Sequence, residues 1–532
     1  MKIVIAEKMS SSAINLLREP EWTVVTPDQV NGNLAKEVEN ADALLVRSAV
    51  QVDAALLSNA SKLRVIGRAG VGVDNIELEP ATRKGIAVMN TPGANAVAVA
   101  EITIGLMLSM ARFIPRANEL MHAGKWEKKS LQGTELRGKT LGIVGLGKIG
   151  LEVAKRARPF GMEIVAHDPF VSATLAKDNG IRLASLEEVF AAADYLSLHV
   201  GLTPQTQNMI NAESLRKMKK GVRIVNCARG ELVDEAALVT ALKDGQVAAA
   251  ALDVFVQEPL KDSPLQKMEN VILTPHIAGS TNEAQEAVGQ QIAMQVKEYL
   301  KHGVIQNAVN VPSVSYDEYE QMKPYIVLAE RLGSFLGQIS DGVQEIAISY
   351  TGHIAEWKTD LIRNAAIKGI LNAAVEESAN LVNAASLASE RGLKVQEERK
   401  PKASTGGAGS VLSIEIRTPK EKHIVKGAVL RESAQRLLHV DGIDAEAPLE
   451  RSLVYLHNQD VPGVIGKVGT ILGKHDINIA NFSLGRRSGE PQPGKPLEAI
   501  AVVQVDGDVP EAVVSELRGI PAVQQAKAIH LE

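Results

Sequence analysis

The sequence predicts an α/β protein: two doubly wound parallel-sheet domains, then an α+β domain, then a small βαββαβ module. Three observations carry this. Short apolar strands alternate with helical stretches up to Pro312, a glycine fingerprint sits at a strand–helix junction in the second unit, and the pattern changes beyond Pro312. At 532 residues the chain is also too long for one core.

In the first unit, apolar runs at 3–6, 22–25, 43–46, 65–67 and 87–90 read as strands separated by helical stretches. This is a parallel pattern over 1–96 without a GxGxxG of its own. The second unit, 97–282, opens with an apolar helix at 97–112 and continues with a strand at 140–144. Directly after that strand comes Gly145-Leu-Gly147-Lys148-Ile149-Gly150, then a helix at 151–158 and a strand at 163–166 that delivers Asp168. Later strands are expected at 195–198, 222–226, 248–252 and 271–273. A strand, a glycine turn and a helix start present backbone N–H groups to a dinucleotide pyrophosphate, and an acid after the second strand meets the ribose 2′-hydroxyl. A lone GxGxxG can be a plain structural turn, but strand, helix and distal acid are in register here, so a Rossmann unit is predicted. Asp168 has no arginine beside it to receive a 2′-phosphate, which selects NAD.

The helical stretch 283–302 is expected to return to the first domain, making that domain discontinuous as 1–96 and 283–312. Over 313–450, helices are expected at 316–339 and 357–388 and strands at 343–350, 411–417 and 423–430. The polar, glycine-rich segment 397–410 reads as a solvated loop. Over 451–532 the order is strand 453–456, helix 463–474, strand 477–482, strand 500–505, helix 510–517 and strand 526–531. That is the ferredoxin-like arrangement. It holds no catalytic constellation, so it regulates or assembles.

Charge and cysteine usage narrow the class of protein. There are 58 basic and 63 acidic residues, net −5, with both signs scattered, which leaves no footprint for nucleic acid. Cys227 is the only cysteine, so no internal disulfide can form and a reducing cytoplasm is expected. The N-terminus reads as a strand rather than a signal peptide. The most apolar window, 96–110, contains Glu101 and is short for a bilayer span, so no membrane partner is expected. The helix at 97–112 carries more apolar residues than one face can bury in a protomer, which points to a two-fold interface and a homodimer or homotetramer. No metal site is expected.

Three candidate chemical groups each follow a strand end, where open α/β sheets place ligand-facing loops. His276, in Leu-Thr-Pro-His-Ile-Ala-Gly-Ser, can move a proton to or from a hydroxyl. Glu258, in Asp253-Val-Phe-Val-Gln-Glu-Pro, can fix its tautomer. Arg229, in Asn-Cys227-Ala-Arg-Gly, offers a fork for a carboxylate. Singly, each has a dull reading as a solvated or ion-paired surface group; in this order, after the fingerprint, they point to one site beside a nicotinamide.

These blocks, in this order, resemble the D-isomer-specific 2-hydroxyacid dehydrogenases over residues 1 to 312. The resemblance implies that Arg229 binds and polarises the substrate, Glu258 orients the histidine and His276 is the general acid/base. It also groups Gly145, Gly147, Lys148, Ile149, Gly150, Asp168, Cys227 and Asp253 as cofactor residues. Two departures, Glu231 after Arg229-Gly and the order Ala278-Gly279 after the histidine, remove no chemical group. Arg47 and the run Gly67-Arg68-Ala-Gly70-Val-Gly72-Val-Asp74 follow strand ends in the first domain, and Asn95 closes Met-Asn-Thr-Pro-Gly-Ala-Asn. Either Arg47 and Arg68 pair with surface acids or, with Arg229, they make a cleft for a substrate bearing phosphate and carboxylate.

Within the family these blocks look like the long, phosphoglycerate-oxidising branch. That implies NAD-dependent oxidation of 3-phospho-D-glycerate to 3-phosphohydroxypyruvate, the entry to serine synthesis. Alternatives are a glyoxylate or hydroxypyruvate reductase of the same family, or a nucleotide-sensing co-repressor on this fold. Residues 313–450 resemble that branch's intervening, allosteric substrate-binding domain, and 451–532 its ACT domain. His457, Asn458, Asp460 and Asn478 are the candidate effector residues, with L-serine the implied effector; the plain alternative is that Asp460 caps a helix.

Overall fold

Runs of three to five β-branched and aliphatic residues build the first sheet, and they are buried because helices cover both faces. In the computed structural model, which describes residues 1–30, 32–374, 379–401, 409–431, 433–489 and 496–531, its five parallel strands lie in the order Thr23–Val25, Lys2–Ile5, Ala43–Val46, Val65–Arg68, Ala87–Met89. Every residue of Ala43–Val46 is buried. Helix Asn282–His302 returns to this sheet, where Val288, Ile292 and Val296 join Ile3, Ile5 and Leu45 in one core.

The second sheet has seven parallel strands in the order Val271–Leu273, Val247–Leu252, Val222–Asn226, Tyr195–Leu198, Thr140–Val144, Glu163–His167, Arg182–Leu183. Strand order reverses between Tyr195–Leu198 and Thr140–Val144, which opens a crevice at their carboxyl ends. The edge strand Arg182–Leu183 was not expected from the sequence, being only two residues long. Helix Ala96–Arg112 crosses between the units and packs on helix Lys148–Ala157.

Beyond Pro312, helix Tyr316–Ile339 covers a six-stranded sheet ordered Lys394–Lys400, Glu345–Gly352, Ser410–Arg417, Lys422–Leu430, Ala434–Val440, Ile443–Pro448. The single helix expected over 357–388 is instead Asp360–Ala374 and Ala384–Glu390. Asn380 accounts for part of the break: its Oδ1 accepts from the N–H groups of Val382 and Asn383, a local bond that competes with helix. The segment expected as a loop from 397 begins as strand, since Lys394–Lys400 pairs parallel with Glu345–Gly352. Its exposed charges suit an edge position. Residues 402–408 of that expectation lie outside the described residues.

The C-terminal sheet is antiparallel, ordered Ile479–Arg486, Glu498–Val505, Arg451–Gln459, Val523–Leu531. Alternation along Arg451–Gln459 gives it two buried faces. Val454 and Leu456 pack under helices Val464–Lys474 and Glu511–Arg518, while Leu453 and Tyr455 join the core of the preceding domain.

Candidate active site

The glycine turn is built as its sequence requires. Gly145 has φ +93°, and a Cβ there would meet the carbonyl of His199 on the neighbouring loop; a Cβ on Gly150 would overlap the carbonyl of Gly145. A Cβ on Gly147 would meet nothing within 4 Å, so the protein itself leaves open the place where a pyrophosphate would lie. Helix Lys148–Ala157 begins at Gly147 with no side-chain cap, so its first N–H groups are free to face an anion. These features fit a bound dinucleotide. Asp168 directly follows strand Glu163–His167, its carboxylate accepting from Leu146 N–H and Phe170 N–H, both at 2.8 Å. It thereby braces the turn. Lys148 reaches across to the first domain, where its Nζ donates to the Pro92 carbonyl at 3.0 Å.

A cavity of about 550 Å³ lies between the two parallel-sheet domains. Its wall brings together Arg47, Arg68, Asn95, Arg229, Glu258 and His276, with Gly70 beside Arg68. His276 adopts φ +52°, and its Nδ1 lies 2.7 Å from Oε2 of Glu258. Because the carboxylate fixes a proton on Nδ1, Nε2 is left to accept or give one. The loop carrying the histidine is held by buried Asp253, whose carboxylate takes Thr274 Oγ1–H at 2.5 Å, Ile277 N–H at 2.9 Å and Ala278 N–H at 2.8 Å.

Asp253 and Cys227 therefore stand behind the wall rather than in it. Burial, then the neighbouring Asp253, pushes the Cys227 thiol up to about 12, so it is a neutral core group at ordinary pH. Gly72 is likewise not in the wall; its α-carbon lies against the Arg229 guanidinium.

On the first domain, neither Arg47 nor Arg68 has an ion-pair partner among the described residues. Among the described residues, Arg68 Nε and Asn95 Oδ1 are buried with no hydrogen-bond partner. Burial, and next the nearby Arg229, lowers the Arg68 pKa from its ordinary value. Unpaired positive charge and orphaned polar atoms around one cavity are what an anionic ligand would satisfy. Two positioning groups escaped the sequence reading. Glu7 accepts N–H bonds from Arg47, Ala49 and Val50 at 2.6, 3.1 and 3.2 Å, and Asp74 meets Arg229 across the cleft.

The C-terminal domain has a second, smaller cavity of about 300 Å³, lined by Asn458, Asp460, Gly463, Phe482 and Arg486. Of the four effector candidates it brings together only Asn458 and Asp460. His457 is the next residue on the same strand and so faces the other way, with Nε2 3.8 Å from Glu498; Asn478 instead donates to Asp506 at 2.8 Å. Arg486, paired with Asp460, was not anticipated.

Comparison with known proteins decides the lineage. Residues 104–278 match the D-isomer specific 2-hydroxyacid dehydrogenase, NAD binding domain, 321–441 the D-3-phosphoglycerate dehydrogenase intervening domain, and 452–522 the ACT domain. D-3-phosphoglycerate dehydrogenase of Methanocaldococcus jannaschii is 41% identical, with 100% of both chains covered. The chain belongs to the D-3-phosphoglycerate dehydrogenase family. The Bacillus subtilis member is 39% identical over 100% of this chain and 99% of its own. Among solved structures, a glyoxylate reductase from Paecilomyes thermophila is 32% identical at TM-score 0.53, covering 58% of this chain and 98% of that one. D-lactate dehydrogenase from Aquifex aeolicus, complexed with NAD and lactic acid, is 28% identical at TM-score 0.52, covering 59% and 100%. The protein is thus an NAD-dependent dehydrogenase.

Proposed function

We propose that the protein oxidises 3-phospho-D-glycerate to 3-phosphohydroxypyruvate, the first step of serine biosynthesis. The observation that carries this reading is the cavity that joins the His276–Glu258 pair to three arginines. NAD, held at the turn Gly145 to Gly150 and by Asp168, supplies the hydride acceptor. Arg229 grips the carboxylate, Arg47 and Arg68 take the phosphate, and Asn95 supplies a further polar contact. His276 Nε2 removes the hydroxyl proton, and Glu258 stabilises the imidazolium that results. Asp253 fixes the histidine loop from behind. Full-length similarity to D-3-phosphoglycerate dehydrogenases supports this substrate over glyoxylate or hydroxypyruvate.

The same reading takes the C-terminal cavity as a small-amino-acid site, with L-serine as the effector, Asn458 and Asp460 as its polar groups and Arg486 as a carboxylate partner. A homodimer or homotetramer is part of it, supported by exposed Val97 on helix Ala96–Arg112 and exposed Ile114 and Met121 on helix Ile114–His122 that follows it. A cytoplasmic setting accords with the single free thiol. Initial-rate NADH formation with 3-phosphoglycerate against unphosphorylated 2-hydroxy acids tests the assignment. A preference for the unphosphorylated acids would reject it.

A further inference from the structure

Arg229 comes from the loop after strand Val222–Asn226 of the nucleotide domain, and Asp74 from the loop after strand Val65–Arg68 of the first domain. Oδ2 of Asp74 lies 3.0 Å from Nε of Arg229, which donates to it, and 3.0 Å from Nη2. Nη1 donates to the carbonyl of Ala228 at 2.6 Å. A guanidinium has five N–H bonds. Nε and Nη1 each donate one of these, and Nη2 stands in the ion pair with Asp74, so the side edge is held while further N–H bonds on the two terminal nitrogens remain for the end-on fork. Nη2 also passes so close to Gly72 that a Cβ there would overlap it and crowd Asp74 Oδ2. The pair exists because residue 72 is glycine.

We propose that Asp74 is a positioning residue for the dehydrogenase reaction: from the opposite domain it holds the side edge of Arg229 so that the end-on fork faces the carboxylate of the substrate. The inference rests on the reading of Arg229 as the carboxylate grip. It adds that the grip is oriented only while the two domains keep their relative placement, because its holder stands on one domain and its backbone on the other. Electrostatics alone argue the reverse. A carboxylate beside an anion site repels the substrate, so removing Asp74 by itself would favour binding. Orientation and charge therefore pull kcat and KM in different directions, and this split separates positioning from simple charge.

The test is steady-state kinetics of Asp74→Ala, Asp74→Asn and Gly72→Ala, with NAD dissociation constants from fluorescence titration. Asp74→Ala is expected to lower kcat by roughly 10- to 100-fold, the scale of misplacing a reacting group, while KM for 3-phosphoglycerate does not rise. The loss should be equal for phosphorylated and unphosphorylated 2-hydroxy acids, since both share the carboxylate. Asp74→Asn keeps an acceptor oxygen and should recover part of kcat; Gly72→Ala, which separates the pair from the other side, should resemble Asp74→Ala. A kcat within twofold of wild type in Asp74→Asn and Asp74→Ala overturns the proposal, as does a loss confined to phosphorylated substrates. Arg229→Ala serves as the control. If it too is fully active, the carboxylate grip itself is misassigned; a crippled Arg229→Ala beside a normal Asp74→Ala rejects this inference alone.

Discussion

His276 Nδ1 and Glu258 Oε2 lie 2.7 Å apart, and the other oxygen of the same carboxylate takes the Phe255 N–H at 3.0 Å. The glutamate is therefore fixed by its own loop before it fixes the imidazole. His276→Ala should lower turnover by about 10²-fold or more, the scale of general acid/base catalysis, with NAD affinity little changed. Near-normal turnover would remove His276 from the mechanism.

Arg68 is half-buried, with its Nε enclosed and unpartnered among the described residues, so its replacement should be felt by the phosphate rather than by the fold. Arg68→Ala is expected to lower kcat/KM for 3-phosphoglycerate by the equivalent of about 1.5–3 kcal/mol, the worth of a lost hydrogen bond to a charged group. Unphosphorylated 2-hydroxy acids should be far less affected. Parallel kinetics on the two substrate types decide, and equal losses would make Arg68 structural.

Asp168 braces the glycine turn and is proposed to meet the ribose, and one variant should expose both. Asp168→Ala should narrow the preference for NAD over NADP, by weakening NAD and relieving repulsion of the 2′-phosphate. It should also lower the melting temperature of the apo protein, because Leu146 N–H and Phe170 N–H lose their acceptors. An unchanged cofactor ratio would dissociate Asp168 from ribose recognition.

Two histidines give stability opposite pH dependences. Burial lowers His199 from 6.5 to about 4, so the folded chain resists a proton that the unfolded chain accepts. Its contribution is complete above about pH 6.5 and is lost as pH falls towards 4, by up to about 3 kcal/mol. His423 lies between Asp441, 2.7 Å from Nδ1, and Glu421, 3.0 Å from Nε2. Its bond to Asp441 raises its pKa against the opposing effect of burial. Its contribution is complete below about pH 6.5 and is lost as pH rises through the raised value. Calorimetric melting should show His199→Gln weakening the acid dependence and His423→Gln the alkaline one; parallel pH curves for variant and wild type would reject either assignment.

For the C-terminal domain, L-serine should inhibit, and Asn458→Ala should reduce that inhibition while leaving basal kcat unchanged. Asn458 lines the small cavity with its Oδ1 unpartnered, whereas His457 faces Glu498, so His457→Ala should matter much less. Inhibition requires serine to favour the less active arrangement, since equal affinity shifts nothing. Isothermal titration without detectable serine binding to the wild-type protein would reject the effector.

What the sequence made legible was whatever is local. The fingerprint, the blocks around Arg229, Glu258 and His276, and the apolar runs each announce a strand end, and a parallel sheet sends strand ends to one edge. Asp74 and Glu7 were not legible because their partners lie 155 and 40 residues away, and each looks like an ordinary surface acid. The hairpin Ala434–Val440 and Ile443–Pro448 did carry a signal. Asp441-Gly442, both at positive φ, is the aspartate–glycine pair that favours tight two-residue turns. Grouping His457 with Asn458 failed for a different reason, since neighbours on a strand face opposite ways.

One continuous apolar core runs from Ile3 and Leu45 through Val296 and Leu332 to Ile414, Tyr455 and Ile529, whereas the nucleotide domain keeps two clusters of its own. Heat should therefore divide the molecule into two cooperative blocks, of which the nucleotide domain is one continuous stretch of chain and the other is made of the segments on either side of it. The first sheet, the intervening sheet and one face of the C-terminal sheet can separate only by exposing shared apolar surface to water. NAD binding adds its linkage energy mainly to the other block. The regulatory half is then welded to the substrate side, and the nucleotide domain is the piece left free to move.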